Sequence, residues 1–121
     1  MITFSFQDLK IWQKGIELVD LVYEITDSFP QKELYGLASQ SNKSAVSIPS
    51  NIAEGSQRTT DKDFANFILI AKGSLAELHT QMIIAKRRGY IAARHEKVIF
   101  LRIEELNKML YSFHKKLKAD S

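Results

Sequence analysis

Cysteine is absent from this chain of 121 residues, and proline and glycine are scarce, with two and five copies. The absence of cysteine excludes a disulfide framework, thiol catalysis and any zinc or iron–sulfur site that needs thiolates. So few breakers favour long helices over many short strands. The longest uncharged run, from Ser44 to Ala53, is too short to cross a bilayer. The first six residues lack the basic stretch and the apolar run that are typical of a signal peptide. The sequence therefore predicts a cytoplasmic protein with no membrane segment.

The composition is that of a globular chain. Hydrophobic residues make up 45% and charged residues 26%, which is unlike a disordered or membrane protein. At this length folding buries about two-thirds of the surface that the unfolded chain exposes, enough for a core without staples. We therefore predict a single domain over residues 1–121.

Breakers divide the chain into four segments of similar length. Phe29-Pro30, the stretch 55–60 and Gly89-Tyr90 separate segments in which apolar residues recur three and four apart, the helical period. The predicted helices are 7–28, 32–54, 61–88 and 93–118. Short connections make neighbouring helices antiparallel, so the predicted fold is all-α, an antiparallel up-down-up-down four-helix bundle.

Signals at the ends of these segments agree with the division. Thr60 is suited to cap the third helix, with Asp63 three residues later. Gly55 and Gly89 are predicted to end the second and third helices. Leu78 and Leu106 fall in the central seam of their heptad runs.

Four motifs in order carry a family resemblance. They are the strings Phe6–Gln13, Glu33–Leu37, Ser47–Gly55 and Ala71–Leu78. Together they resemble the four-helix-bundle family first noticed as open reading frames in intervening sequences of bacterial 23S rRNA genes. The resemblance implies a small cytosolic bundle, often a homopentamer, with no assigned enzymatic activity. Distantly similar proteins are the basic pentameric accessory proteins of diversity-generating retroelements, which work with a reverse transcriptase and nucleic acid.

The residues that catalysis or metal binding needs do not occur in the required spacing. No histidine has a glutamate three residues before it, as a di-iron bundle requires, and no zinc-protease or phosphate-loop motif occurs. We predict no enzyme, no catalytic residue, no metal site and no cofactor.

Polar residues on otherwise apolar helices form a second pattern. Two sets, each spaced to share one face of a helix, lie on the second and third helices, and the predicted network consists of Ser47, Asn51, Glu54, Ser74 and Glu77. One interpretation is a polar pocket that binds a ligand. The interpretation that the sequence favours is a hydrogen-bonded network that fixes register and oligomeric state.

Basic residues are concentrated in the second half of the chain. Residues 1–60 have a net charge of −2 and residues 61–121 a net charge of +5. The candidate nucleic-acid-binding residues are Lys43, Arg58, Lys72, Lys86, Arg87 and Arg88, which could contact phosphates of RNA or DNA. The alternative is that they complement helix dipoles and keep the chain soluble.

The first helix has two apolar stripes side by side, although a bundle helix needs only one. The residues predicted to contact another subunit are Ile11, Trp12, Leu18, Val22 and Ile25. Tyr35, Phe67 and Ile70 are candidates for the surface that they meet. Contact between two different patches closes a ring on repetition, so the sequence predicts a homo-oligomer, and the family resemblance alone supplies the number five.

Two hypotheses for function follow. The first is a non-enzymatic oligomer that binds RNA or other nucleic acid through its basic residues. The second is a structural or adaptor oligomer that binds a protein partner and has no nucleic-acid role. A continuous basic surface favours the first, and scattered charges paired with glutamate favour the second.

Overall fold

The computed structural model describes residues 5–120, which contain four α-helices and no strand. The helices are α1 (Lys10–Thr26), α2 (Leu37–Ser56), α3 (Asp61–Arg87) and α4 (Ala93–Asp120). Short 3-10 turns at Phe6–Asp8 and Gln31–Glu33 precede α1 and α2. The predicted all-α four-helix bundle is confirmed.

Polar contacts between helices establish the antiparallel order. Thr26 Oγ1 at the end of α1 donates to Asn42 Oδ1 near the start of α2, at 2.9 Å. Lys86 at the end of α3 pairs with Glu96 at the start of α4, at 3.2 Å. Ion pairs from Lys14 to Glu105 and from Arg102 to Glu17 join α1 to α4, which are therefore antiparallel neighbours as well.

The first two helices start later than predicted, because local hydrogen bonds hold each preceding segment as a turn. The Gln7 N–H donates to Ser5 Oγ at 3.2 Å, which fixes the first 3-10 turn. The Glu33 carboxylate accepts from the Leu37 N–H at 3.2 Å and so caps α2. Tyr90 in the turn after α3 donates to the other oxygen of Glu33 at 3.1 Å, which ties this end of the bundle together.

Two of the three predicted helix-end signals are confirmed. Thr60 Oγ1 accepts from the Asp63 N–H at 3.1 Å, and Gly89 follows α3 with φ of 76°, a conformation that glycine adopts without strain. Gly55 does not itself end α2, because the helix continues one residue further, to Ser56. A Cβ at Gly55 would lie 2.6 Å from Phe67 Cβ, so the glycine allows α2 and α3 to approach closely.

All four helices contribute to one core. Leu78 and Leu106 are at most 1% exposed, as their heptad positions predicted. Where α1 crosses α2, Gly15 lies against Pro49, and a Cβ at Gly15 would be 3.4 Å from Pro49 Cβ. The small residue thus brings one side of α1 directly onto α2.

Candidate functional site

Three of the five predicted network residues meet between α2 and α3. The hydroxyls of Ser47 and Ser74 are 2.8 Å apart. Asn51 Nδ2 donates to the Ser47 carbonyl at 2.8 Å and to Ser47 Oγ at 3.0 Å. This cluster joins two helices at mid-length, which suits a role in setting their register.

The two glutamates do not belong to this cluster, so that part of the prediction is wrong. Glu54 is exposed and pairs at 3.3 Å with Arg58, which follows α2 in the loop before α3. Glu77 is exposed on α3 and takes part in none of the hydrogen bonds or ion pairs found within residues 5–120. Both carboxylates remain hydrated at the surface, whereas burial beside the serines would cost desolvation free energy.

The six candidate nucleic-acid-binding residues are spread over the bundle. Arg58 precedes α3 and Lys86 closes it, so the length of α3, about 40 Å, separates them. Lys72 is at mid-length, where its ammonium lies 5.1 Å from the centre of the Tyr111 ring. Lys43 and Tyr23 both line a cavity of about 570 Å³. The structure therefore does not bring these residues into one site.

Several of these cations already have a local role. Arg58 pairs with Glu54 and also stacks on Phe67 at 4.7 Å. Lys86 pairs with Glu96. By contrast, Arg87 and Arg88 are exposed and form no ion pair with any residue that the structure describes.

The predicted oligomer interface needs a correction, because the inner stripe of α1 is buried inside the chain. Ile11, Leu18, Val22 and Ile25 are at most 4% exposed and belong to the bundle core. Of the predicted set, Trp12 alone is partly exposed, and it also packs against the core. The four buried side chains are unavailable to a second subunit.

A different apolar surface remains on α1 and α2. Apolar side chains line the groove between these two helices. We call this surface the α1–α2 face, and its residues are Trp12, Ile16, Val19, Tyr23 and Val46. Two adjoining cavities run along it and share Val46. Tyr35, which the sequence suggested as a contact, stands beside this face and is 91% exposed.

The outer side of α3 also exposes large apolar side chains, with exposed Asn66, Glu77 and Thr80 among them. We define the outer α3 face as Leu69, Ile70, Gly73, Ile83 and Ile84, whose large side chains are 42–50% exposed. Apart from the backbone of its own helix and its chain neighbours, no described atom lies within 4 Å of the position that a Cβ at Gly73 would occupy. The close helix approach that the sequence suggested at Gly73 is therefore not made within residues 5–120.

This apolar character makes α3 a membrane-spanning candidate by length and composition, although one third of its most apolar window is buried in the bundle. Core helices of globular proteins satisfy the same test. Lys72 and Glu77 interrupt the apolar sequence of α3, so the longest uncharged run of the chain lies elsewhere.

A family model of the 23S rRNA-intervening sequence protein matches residues 7–112. The chain belongs to this family. Its fold is similar to that of a crystal structure described as a protein of unknown function from the S23 ribosomal protein family of Bacteroides thetaiotaomicron, with a TM-score of 0.77 and 25% identity over 87% of this chain and 98% of that one. A comparison with curated proteins gives no significant match.

This member of the 23S rRNA-intervening sequence protein family has further basic residues that the sequence reasoning missed. Arg94 and Lys97 are exposed in the first turns of α4. The turn between α3 and α4 places them at the same end of the bundle as Arg87 and Arg88. Arg94 and Lys97 follow Arg88 closely in the sequence, and this spacing could have predicted that all four cations lie together. The short turn after Gly89 is what brings them to the same end of the bundle.

The acidic and histidine side chains of this family member are dispersed. Within residues 5–120, no three of them are placed to hold a metal ion. His95 is buried near the start of α4, with Nε2 3.7 Å from Glu24. That histidine packs between helices.

Proposed function

We propose that this chain acts as a homo-oligomeric adaptor in the cytoplasm, through association and without catalysis of its own. The outer α3 face carries the proposal, because α3 exposes four large aliphatic side chains in addition to the apolar stripe that it buries in the bundle, and a bundle helix needs only one such stripe. Apolar patches of this kind on soluble chains are characteristic of interaction surfaces. A second copy is the first partner that such a surface fits.

The contact we propose joins two different surfaces. The α1–α2 face is concave, with cavities of about 260 and 570 Å³. The outer α3 face projects isoleucines and leucine that can enter such cavities. A contact between unlike faces is heterologous, and repeated rotation closes it into a ring. Similarity to the family supports five subunits.

Two surface variants test this arrangement. Ile70→Glu disables the outer α3 face, and Val46→Glu disables the α1–α2 face; both positions are partly exposed, so the bundle itself tolerates the change. Each variant alone should have the monomer mass of 13.8 kDa by light scattering. A mixture of the two should form a dimer, because each variant keeps the face that the other has lost.

Leu101→Glu is the matched control, since Leu101 is an exposed aliphatic residue of α4 that lies outside both faces. It should keep the mass of the parent. A parent protein that is monomeric at micromolar concentration would overturn the proposal. A mixture that stays monomeric would overturn the heterologous contact, and a single variant that keeps the parent's mass would show that the face it alters is not part of the contact.

A second candidate function is binding of nucleic acid at the α3–α4 end. The observation in its favour is the group of exposed cations there, Arg87, Arg88, Arg94 and Lys97. A ring of subunits would repeat this group around one rim and so strengthen contact with a polyanion. The scattered, glutamate-paired cations elsewhere favour the adaptor, which is why binding of nucleic acid comes second.

A salt titration distinguishes the two functions. Structured RNA, single-stranded DNA and duplex DNA should bind the parent with an affinity that falls steeply with salt if phosphates are contacted. The double variant Arg87→Glu/Arg88→Glu should then lose binding, and Arg58→Glu at the far end should keep it. Binding that none of these changes alters would exclude the basic end as the site.

A further inference from the structure

The bundle has an open groove where α4 continues past the start of α1. Lys14 pairs with Glu105 and Glu17 with Arg102, so the first residue of α1 is level with about Met109. Eleven residues of α4 remain beyond that level, a length of about 16 Å. The groove at this step has a volume of about 490 Å³.

The floor of the groove is apolar and rigidly held. It is formed by Leu9, Ile11, Met109 and Phe113, all of which pack on or belong to the core. The Phe113 ring meets Phe64 of α3 edge to face, with centroids 5.3 Å apart. A surface that is already fixed by the core binds an apolar group without the entropic cost of ordering it.

The rim of the groove is positively charged. Lys10 stands on the α1 side, and Lys108 and Lys116 stand on the α4 side, eight residues and about 12 Å apart along the helix. Lys108 already pairs with Glu104 at 3.1 Å. Lys10 and Lys116 have no acidic partner within ion-pair distance among residues 5–120.

We propose that this groove binds a free single-chain aliphatic carboxylate. Its alkyl chain would lie on the apolar floor, and its carboxylate would pair with Lys10 or Lys116. An apolar floor beneath cationic side chains is complementary to an amphiphile with an anionic head, and the volume is in the range of small-molecule sites. The groove uses neither the α1–α2 face nor the outer α3 face, so this proposal is independent of the proposed assembly.

Dodecanoate, below the concentration at which it forms micelles, is the probe. Calorimetry should detect one dodecanoate bound per chain. Ser112→Trp, which fills the groove from an exposed lining position, should weaken binding at least tenfold, and Ser112→Ala should leave it unchanged. Lys10→Gln/Lys116→Gln should weaken it about fivefold, as expected for two exposed ion pairs. Lys97→Gln, at the other end of α4, is the matched control.

Three further arms distinguish other occupants. Dodecyltrimethylammonium should bind more weakly than dodecanoate, and equal binding would show that the lysines select nothing. Binding to phosphatidylglycerol vesicles without binding of free dodecanoate would assign the surface to membranes and overturn the proposal. Dissociation of an oligomer by Ser112→Trp would assign the groove to a second copy of the chain. Absence of any dodecanoate binding would also refute the proposal.

Discussion

On the inner side of α3, Leu75, Leu78 and Met82 are at most 1% exposed, whereas on its outer side Ile70 and Ile84 are 50% and 42% exposed. The side chains are of the same type, and their surroundings are opposite. Burial of the inner set stabilises the single chain. The outer set adds nothing to that core and instead leaves an apolar surface in water. The difference shows that the bundle core does not account for all of the apolar character of α3.

The largest expected effect tests the inner side. Leu78→Ala should lower the free energy of unfolding by about 2–5 kcal/mol, because it removes buried methyl groups and leaves a cavity. Ile84→Ala is the matched change on the outer side and should cost less than about 1 kcal/mol. Urea denaturation at a concentration where the chain is monomeric measures both. Similar costs at the two positions would remove the distinction between the faces.

The next effect concerns the contact of α3 with α2. Gly55→Ala would place a Cβ 2.6 Å from Phe67 Cβ and 2.9 Å from Phe64 Cδ1. Because the neighbouring helix must then shift, we expect a loss of about 1–3 kcal/mol in the free energy of unfolding. Circular dichroism should show unchanged helical content. A neutral result would mean that α2 and α3 separate freely, contrary to a tightly packed inner side.

The outer side offers a glycine for which the opposite sign is expected. Gly73→Ala meets nothing within 4 Å, and alanine is favoured over glycine inside a helix by about 0.5–1 kcal/mol. The single chain should therefore gain about that much stability in thermal unfolding. If the outer α3 face is a subunit contact, the same variant should weaken assembly, which light scattering measures separately. A loss of monomer stability would place Gly73 against a neighbour within the chain.

The heptad pattern was sufficient to predict four helices and their order, because burial of one stripe per helix dominates the choice of secondary structure. The starts of α1 and α2 were missed, since Ser5 and Glu33 fix turns through single hydrogen bonds that periodicity does not contain. The predicted end of α2 at Gly55 was wrong for a related reason. A glycine can end a helix or allow a close approach, and the sequence does not distinguish the two.

The assignment of the α1 stripes was wrong, although the sequence contained the information needed to decide it. Gly15 falls in the same heptad stripe as Ile11, Leu18 and Val22, and this small residue lets that stripe approach Pro49 of α2. Periodicity identifies two apolar stripes but does not say which one packs inside. The position of a glycine within one of them does.

The smallest expected effect lies at the boundary between the two faces of α3. Ser74 is buried next to exposed Gly73, and its hydroxyl meets that of Ser47 at 2.8 Å. Ser74→Ala alone should change stability by less than about 0.5 kcal/mol, because alanine's better helix propensity offsets part of the lost hydrogen bond. A double-mutant cycle with Ser47→Ala should nevertheless give a coupling energy of about 0.5 kcal/mol. Zero coupling would mean that the serine pair does not contribute to the register of α2 and α3.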